Sequence, residues 1–151
     1  MAVPVLDASA LLAHLRDEPG ADVVAAAIAT GAAISTVNIA EVLSSEANRG
    51  TDPVRLAAEL SSRGLLDGAL AVHPFTTADA IEAARLRPLT HAAGLSLGDR
   101  ACLALAHRLD ALALTADAAW ARVELNIAIT LIREDLEVTP TPHRPTRSAR
   151  L

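Results

Sequence analysis

Two hydrophobic rhythms alternate along the chain. Short apolar runs recur at Val3–Leu6, Ala32–Ser35, within Ala69–Phe75, at Ala111–Leu114 and at Ile127–Ile132. Each is bounded by turn or capping residues, as buried strands are. Between these runs the apolar positions follow helical spacing. Ala8–Arg16 sets Leu11, Leu12 and Leu15 on one face, and Ala21–Thr30 does the same with Val23, Val24, Ala27 and Ile28. Pro19-Gly20 separates the two helices and Gly31 closes the second. A third helix is predicted over Val37–Asn48, ending at Gly50. Asp52-Pro53, a capping residue followed by Pro at the first helical position, opens a fourth through Leu56, Leu60 and Leu65. Thr76 or Thr77 caps a fifth that runs to about Arg87, where Pro88 disturbs it. Ser96 opens a sixth, to about Leu109, and Ala118–Glu124 forms a last short one.

Strands alternating with helices predict an α/β fold: a mostly parallel sheet of about five strands, flanked by helices on both faces. The chain of 151 residues suits one domain, which the pattern places at 1–135. Residues 136–151 hold Pro140, Pro142 and Pro145 among Arg144, Arg147 and Arg150, a composition that predicts a disordered tail. The tail carries a charge of +2, so the net charge of −5 leaves −7 on the body.

Composition narrows the function classes. Apolar residues make up 52% of the chain, enough for a true core, yet no run reaches the roughly 20 residues that a membrane-spanning helix needs. The N-terminus shows no basic-then-apolar leader, and the single Cys102 excludes an internal disulfide. A cytoplasmic location is the expectation. All 13 basic residues are Arg. Without Lys there is no P-loop and no phosphorelay receiver. The only aromatics are Phe75 and Trp120, too few for a base-stacking platform. The five His residues lack metal-ligand spacing, Cys102 lies in an apolar helix, and no Gly-x-Ser-x-Gly elbow exists.

Four carboxylates stand at suggestive points. Asp7 directly follows the first strand, and Asp117 lies three residues past Leu114. Glu41 is one turn into the helix after the second strand, and Asp99 is in the first turn of the helix opened by Ser96. Sites in open α/β sheets lie outside the carboxyl ends of the strands, where all four could converge. An all-oxygen set selects Mg²⁺ or Mn²⁺. A plainer reading also fits: Asp7 and Asp117 as helix caps, with Ser96–Asp99 and Asn38–Glu41 at capping-box spacing. Periodicity alone leaves both readings open.

The segments Val5-Leu6-Asp7-Ala8-Ser9-Ala10, Asn38-Ile39-Ala40-Glu41-Val42, Leu95 to Ala106 and Leu114 to Trp120 resemble the four motif regions of bacterial VapC-type PIN domains, in order and at the usual separations. The resemblance covers about Ala2 to Ile132. It implies a PIN-like fold and a Mg²⁺- or Mn²⁺-dependent endoribonuclease, the toxin of a VapBC-type toxin–antitoxin pair. Asp7, Asp99 and Asp117 would hold the metal, Glu41 would be a further ligand or base, and Ser9 and Thr115 match supporting hydroxyls. The resemblance also implies a VapB-type antitoxin as partner, for which a net charge of −5 suits a basic segment, and a homodimer. Apolar residues of the early helices, Leu11, Leu15, Val24 and Ile28, are candidates for the dimer face. Arg100, beside Asp99, is the best candidate for a substrate phosphate. Two rival readings are a non-catalytic PIN-fold binding module and a metal-dependent phosphatase. The haloacid-dehalogenase pattern, however, needs a second Asp where Ser9 stands.

Overall fold

Neighbouring residues of the central strands point in opposite directions, and that alternation builds the molecule. In the computed structural model, which describes residues 3–134, the strands are β1 (Val5–Leu6), β2 (Ala32–Ser35), β3 (Leu70–His73), β4 (Ala113–Thr115) and β5 (Ile129–Leu131). They form one sheet in the order β3-β2-β1-β4-β5, and every pairing is parallel. Leu6, Ile34, Leu70 and Leu114 enter one core with α1 (Ala8–Leu15), α2 (Ala21–Thr30), Val42 of α3 (Thr36–Asn48) and Leu60 of α4 (Pro53–Ser62). Val5, Ala33 and Ala113 enter a second core with Leu86 of α5 (Thr77–Thr90), Cys102, Leu103 and Leu105 of α6 (Leu97–Arg108), and Trp120. Burying each large aliphatic side chain stabilises the fold by about 1.5–3 kcal/mol, and parallel strands need such cover on both faces.

Local chemistry sets the boundaries. β1 begins at Val5, later than the apolar run, because Pro4 has no N–H to offer; its carbonyl still accepts from Ala33 N at 2.8 Å. α4 stops at Ser62, and Leu65 instead folds back in a turn, its N–H donating to the Leu60 carbonyl at 3.0 Å. β4 starts at Ala113 because Ala111 still belongs to the exit of α6, bonded to Ala106 at 2.9 Å. α5 runs through Pro88 to Thr90 and on into a 3₁₀ turn at His91–Ala93. Pro88 has no N–H to bond one turn back, yet the helix continues through it. Gly20 must be glycine: with φ +94°, a Cβ there would meet the Ile132 side chain at 2.7 Å and its carbonyl at 2.8 Å.

The expected dimer face needs correction. Leu11 and Val24 are completely buried in the first core, so they have no surface to offer a partner. Leu15 and Ile28 are only partly buried, but they too pack on that core. The early helices face inward because the sheet needs their apolar stripe. No helix is long and apolar enough to cross a membrane, among the described residues. The expected tail at 136–151 lies outside them.

Candidate active site

In this sheet the chain leaves β1 toward β2 and β3, then returns to the other side of β1 with β4 and β5. Strand order therefore reverses between β1 and β4, the point where open α/β sheets open a crevice at the strands' carboxyl ends. Asp7 and Thr115 face each other across that point. The Thr115 hydroxyl donates to Asp7 Oδ2 at 2.6 Å, and the Ser9 hydroxyl contacts both carboxylate oxygens at 2.8 and 2.9 Å. Ala10 N donates to Asp7 Oδ1 at 2.8 Å, so Asp7 caps α1 as well. The same hydroxyls hold the neighbouring loop: Ala116 N donates to Ser9 and Asp117 N to Thr115.

Each remaining acid reaches the site from its own element. Asp99 closes a capping box with Ser96 at the start of α6, spending Oδ2 on Ser96 N at 2.8 Å. Asp117 caps the 3₁₀ helix Ala118–Arg122 through Oδ1. Glu41, on α3, is pinned by Asn38, whose amide donates to Glu41 Oε1 at 2.8 Å and to the Gly98 carbonyl at 2.9 Å. Asn38 is thus no cap, since Ser35 caps α3. Gly98 lets α6 come this close, for a Cβ there would overlap the Glu41 carboxylate. Asn38 was legible only as a spacing, three residues ahead of Glu41.

The acids feel one another. Burial pushes Asp7 up to about 6, against hydrogen bonds from Thr115, Ala10 and Ser9, and the charge of Asp99 adds to the rise. Glu41 is raised by burial and by Asp99, with Asn38 opposing. Asp99 is raised by burial and by Asp117, opposed by Ser96 and Arg100. Behind them, Cys102 is pushed well above its usual value by burial and then by Asp7, Asp99 and Glu41. Among the described residues no three His, Cys, Asp or Glu side chains close into a finished metal cage.

Arg100 does not face outward. It is 9% exposed, its Nη1 donates to the Ala83 carbonyl of α5 at 2.7 Å, and its Nε has no partner among the described residues. Trp120 is likewise core. Beside Asp117, a pocket of about 590 Å³ is lined by Ser9, Ala116, Ala118, Ala119, Arg122 and Arg133 as well. Neither arginine stands out in the sequence, because nothing in it brings the end of β5 next to Ser9.

The PIN domain family model matches residues 5–126, which takes in all four acids and every strand but β5. The chain belongs to the PIN domain family. PIN domains are generally nucleases that depend on divalent metal ions. No curated protein matches the chain. Solved structures similar to this PIN domain include DNA-bound VapBC from Salmonella typhimurium, at 18% identity and TM-score 0.65, covering 88% of this chain and 100% of that one. FitAcB from Neisseria gonorrhoeae is similar at 21% identity and TM-score 0.64, covering 85% and 97%. A toxin–antitoxin complex from Klebsiella pneumoniae is similar at 18% identity and TM-score 0.63, covering 87% and 99%. At these identities the likeness is one of fold.

Proposed function

We propose that this PIN domain is a Mg²⁺- or Mn²⁺-dependent endoribonuclease, and the toxin of a toxin–antitoxin pair. The observation that carries the reading is the gathering of Asp7, Glu41, Asp99 and Asp117 from separate elements at the strand-order reversal, three of them with raised pKa values and none paired with a cation among the described residues. A structural carboxylate so placed would destabilise the fold to no purpose. The donor set fits a hard divalent ion: it is all oxygen, and the one nearby sulfur, Cys102, is sealed in the core.

Asp7, Asp99 and Asp117 would hold the ion, with Glu41 as further ligand or base. When bound, such an ion supplies a water of lowered pKa and offsets charge on the phosphodiester. The protein's own part is orientation. Ser9 and Thr115 fix both oxygens of Asp7, Asn38 fixes Glu41, and the cap bonds leave Asp99 Oδ1 and Asp117 Oδ2 without partners among the described residues. Glu41, raised by burial, is suited to take a proton. With Arg100 turned toward α5, it has no part in holding substrate here; it holds α6 in place.

The antitoxin partner rests on the similar structures, which include VapBC and a toxin–antitoxin complex, and on a body of charge −7 that suits a basic segment. Self-association would have to use surfaces other than Leu11 and Val24.

Cleavage of total RNA by the purified protein with Mg²⁺ or Mn²⁺, against a chelator control and Asp99→Asn, tests the reading. Discrete fragments that require metal and vanish in the variant are expected. Equal cleavage by Asp99→Asn, or cleavage in chelator, would overturn it.

A further inference from the structure

The acidic cleft poses a problem for a ribonuclease. Its substrate is a polyanion, and the body that must receive it carries −7. Of the eight other arginines among the described residues, six are already committed: Arg16 and Arg49 to Glu46, Arg63 to Glu59, Arg85 to Glu82, Arg108 to Asp79, and Arg100 to the Ala83 carbonyl. The pocket beside Asp117 is different. Two guanidinium groups, Arg122 and Arg133, line it together with the carboxylate of Asp117 and the hydroxyl of Ser9.

Resting on the ribonuclease reading, we propose that Arg122 and Arg133 grip a phosphate of the RNA strand next to the scissile one. Arg122 closes the 3₁₀ helix that Asp117 caps, so one short element carries both the acid and the cation. Its side chain is exposed and makes no ion pair among the described residues. Arg133 comes from a different element, just past the end of β5. Its Nη1 lies 3.4 Å from the Pro19 carbonyl and 3.6 Å from Glu18 Oε2, which hold the head group at the rim. A guanidinium has five N–H donors in a fixed fork, and these contacts use only the Nη1 end. The remaining edge matches a phosphate's oxygens. The pocket, about 590 Å³, is a shallow groove open to solvent, a shape that suits an extended strand. With two aromatics in the whole chain, one in the core, grip on the backbone must replace stacking on the bases. The site would therefore set where the strand lies and its direction across the acids, with little reading of sequence.

The test is binding of a fluorescent single-stranded RNA to the Asp99→Asn protein in chelator, followed across a salt series. Arg122→Ala and Arg133→Gln, added singly, should each weaken binding several-fold. Each should also flatten the slope of log K against log salt, the two together by about 0.7, the single-strand value for one phosphate contact. In the protein with Asp99 intact, the same changes should raise KM and leave kcat nearly unchanged. Arg122→Lys, which keeps the charge and loses the fork, should recover part of the binding and most of the slope. Arg122 is exposed, so its variants test the idea even if Arg133→Gln loosens the end of β5. Unchanged affinity and slope in the Arg122 variants, with wild type cleaving RNA normally, would overturn this inference alone. Wild-type protein that neither binds nor cleaves RNA would overturn it together with the ribonuclease reading.

Discussion

Asp7 and Asp79 invite comparison. Both are 3% exposed, and both take part in capping the helix beside them. Their ionisation nevertheless moves in opposite directions. Burial opposes charge on Asp79, but Arg108 grips both its oxygens at 2.9 and 3.1 Å, the Thr76 backbone and hydroxyl add to the hold, and its pKa is lowered. Asp7 receives hydrogen bonds from Ser9, Thr115 and Ala10 but pairs with no cation among the described residues, and burial takes it up to about 6. Hydrogen bonds alone do not replace a counter-charge at this depth. The pair that ties α5 to α6 is complete within the chain. Asp7 has no such partner among the described residues, and on the proposed reading that difference separates a structural carboxylate from a metal-binding one.

The sharpest way to break the comparison is to neutralise Asp7. Asp7→Asn is expected to lower RNA cleavage by more than about a hundredfold, beyond the 10- to 100-fold typical of residues that merely support a metal ligand. The same change should stabilise the metal-free protein. A group whose folded pKa is raised contributes stability below its ordinary pKa, and loses it as pH rises through the folded value. For Asp7 the loss falls between about 4 and 6, so at pH 7 the ionised, buried form burdens the fold. Urea midpoints in chelator should show Asp7→Asn more stable than wild type at pH 7, by about 1–3 kcal/mol, with the gap closing toward pH 4. A variant that is inactive and destabilised at every pH would show Asp7 to be structural after all.

Asp79 should behave in reverse. Arg108→Met is expected to cost about 2 kcal/mol, less than the 3–5 of a fully buried pair because the Arg108 side chain is 35% exposed. Cleavage per folded molecule should be unaffected. Since the Asp79 pKa is lowered, its contribution is present above the ordinary carboxylate pKa and fades as pH falls through the lower folded value. Urea midpoints of wild type and variant should thus stay apart at neutral pH and converge only in strong acid. An Arg108 variant that lost activity without losing stability would erase the contrast with Asp7.

The sheet and most helices were legible because buried parallel strands and their covering helices need apolar residues at fixed periods. Leu6, Ile34 and Leu114 follow that need, and so do the caps at Asp52, Thr76 and Ser96. Errors arose where local signals were overruled by context. Pro88 reads as a stop, but α5 runs through it to Thr90. Leu11 and Val24 read as an exposed stripe, but the sheet covers them. At the site, cap and active-site acid were posed as alternatives. Asp7, Asp99 and Asp117 each make cap bonds, and these leave the proposed metal role open, because a helix start beside a strand end can serve both purposes. What the sequence hid were contacts between distant segments: Asn38 on Gly98, and Arg133 across from Arg122. No periodicity encodes a distance of sixty residues.

Asn38 offers the smallest and most discriminating change. It is wholly buried, and its amide spans Glu41 and Gly98, yet its own Oδ1 has no partner among the described residues. Asn38→Ala removes two good bonds and also one orphaned acceptor, so the effects on stability partly cancel, leaving a loss within about 1 kcal/mol. Function should suffer more than the fold. Freed from Asn38, Glu41 keeps its charge but not its direction, and a supporting residue of this kind is worth roughly tenfold. The loss should appear as a higher Mg²⁺ or Mn²⁺ concentration for half-maximal cleavage, with the rate at saturating metal largely restored. Asn38→Asp should do worse than Asn38→Ala, because it sets a second carboxylate against Glu41 where burial already disfavours one. If Asn38→Ala instead melts early and regains full metal affinity once folded, Asn38 serves the packing of α3 on α6, and Glu41 needs no guide.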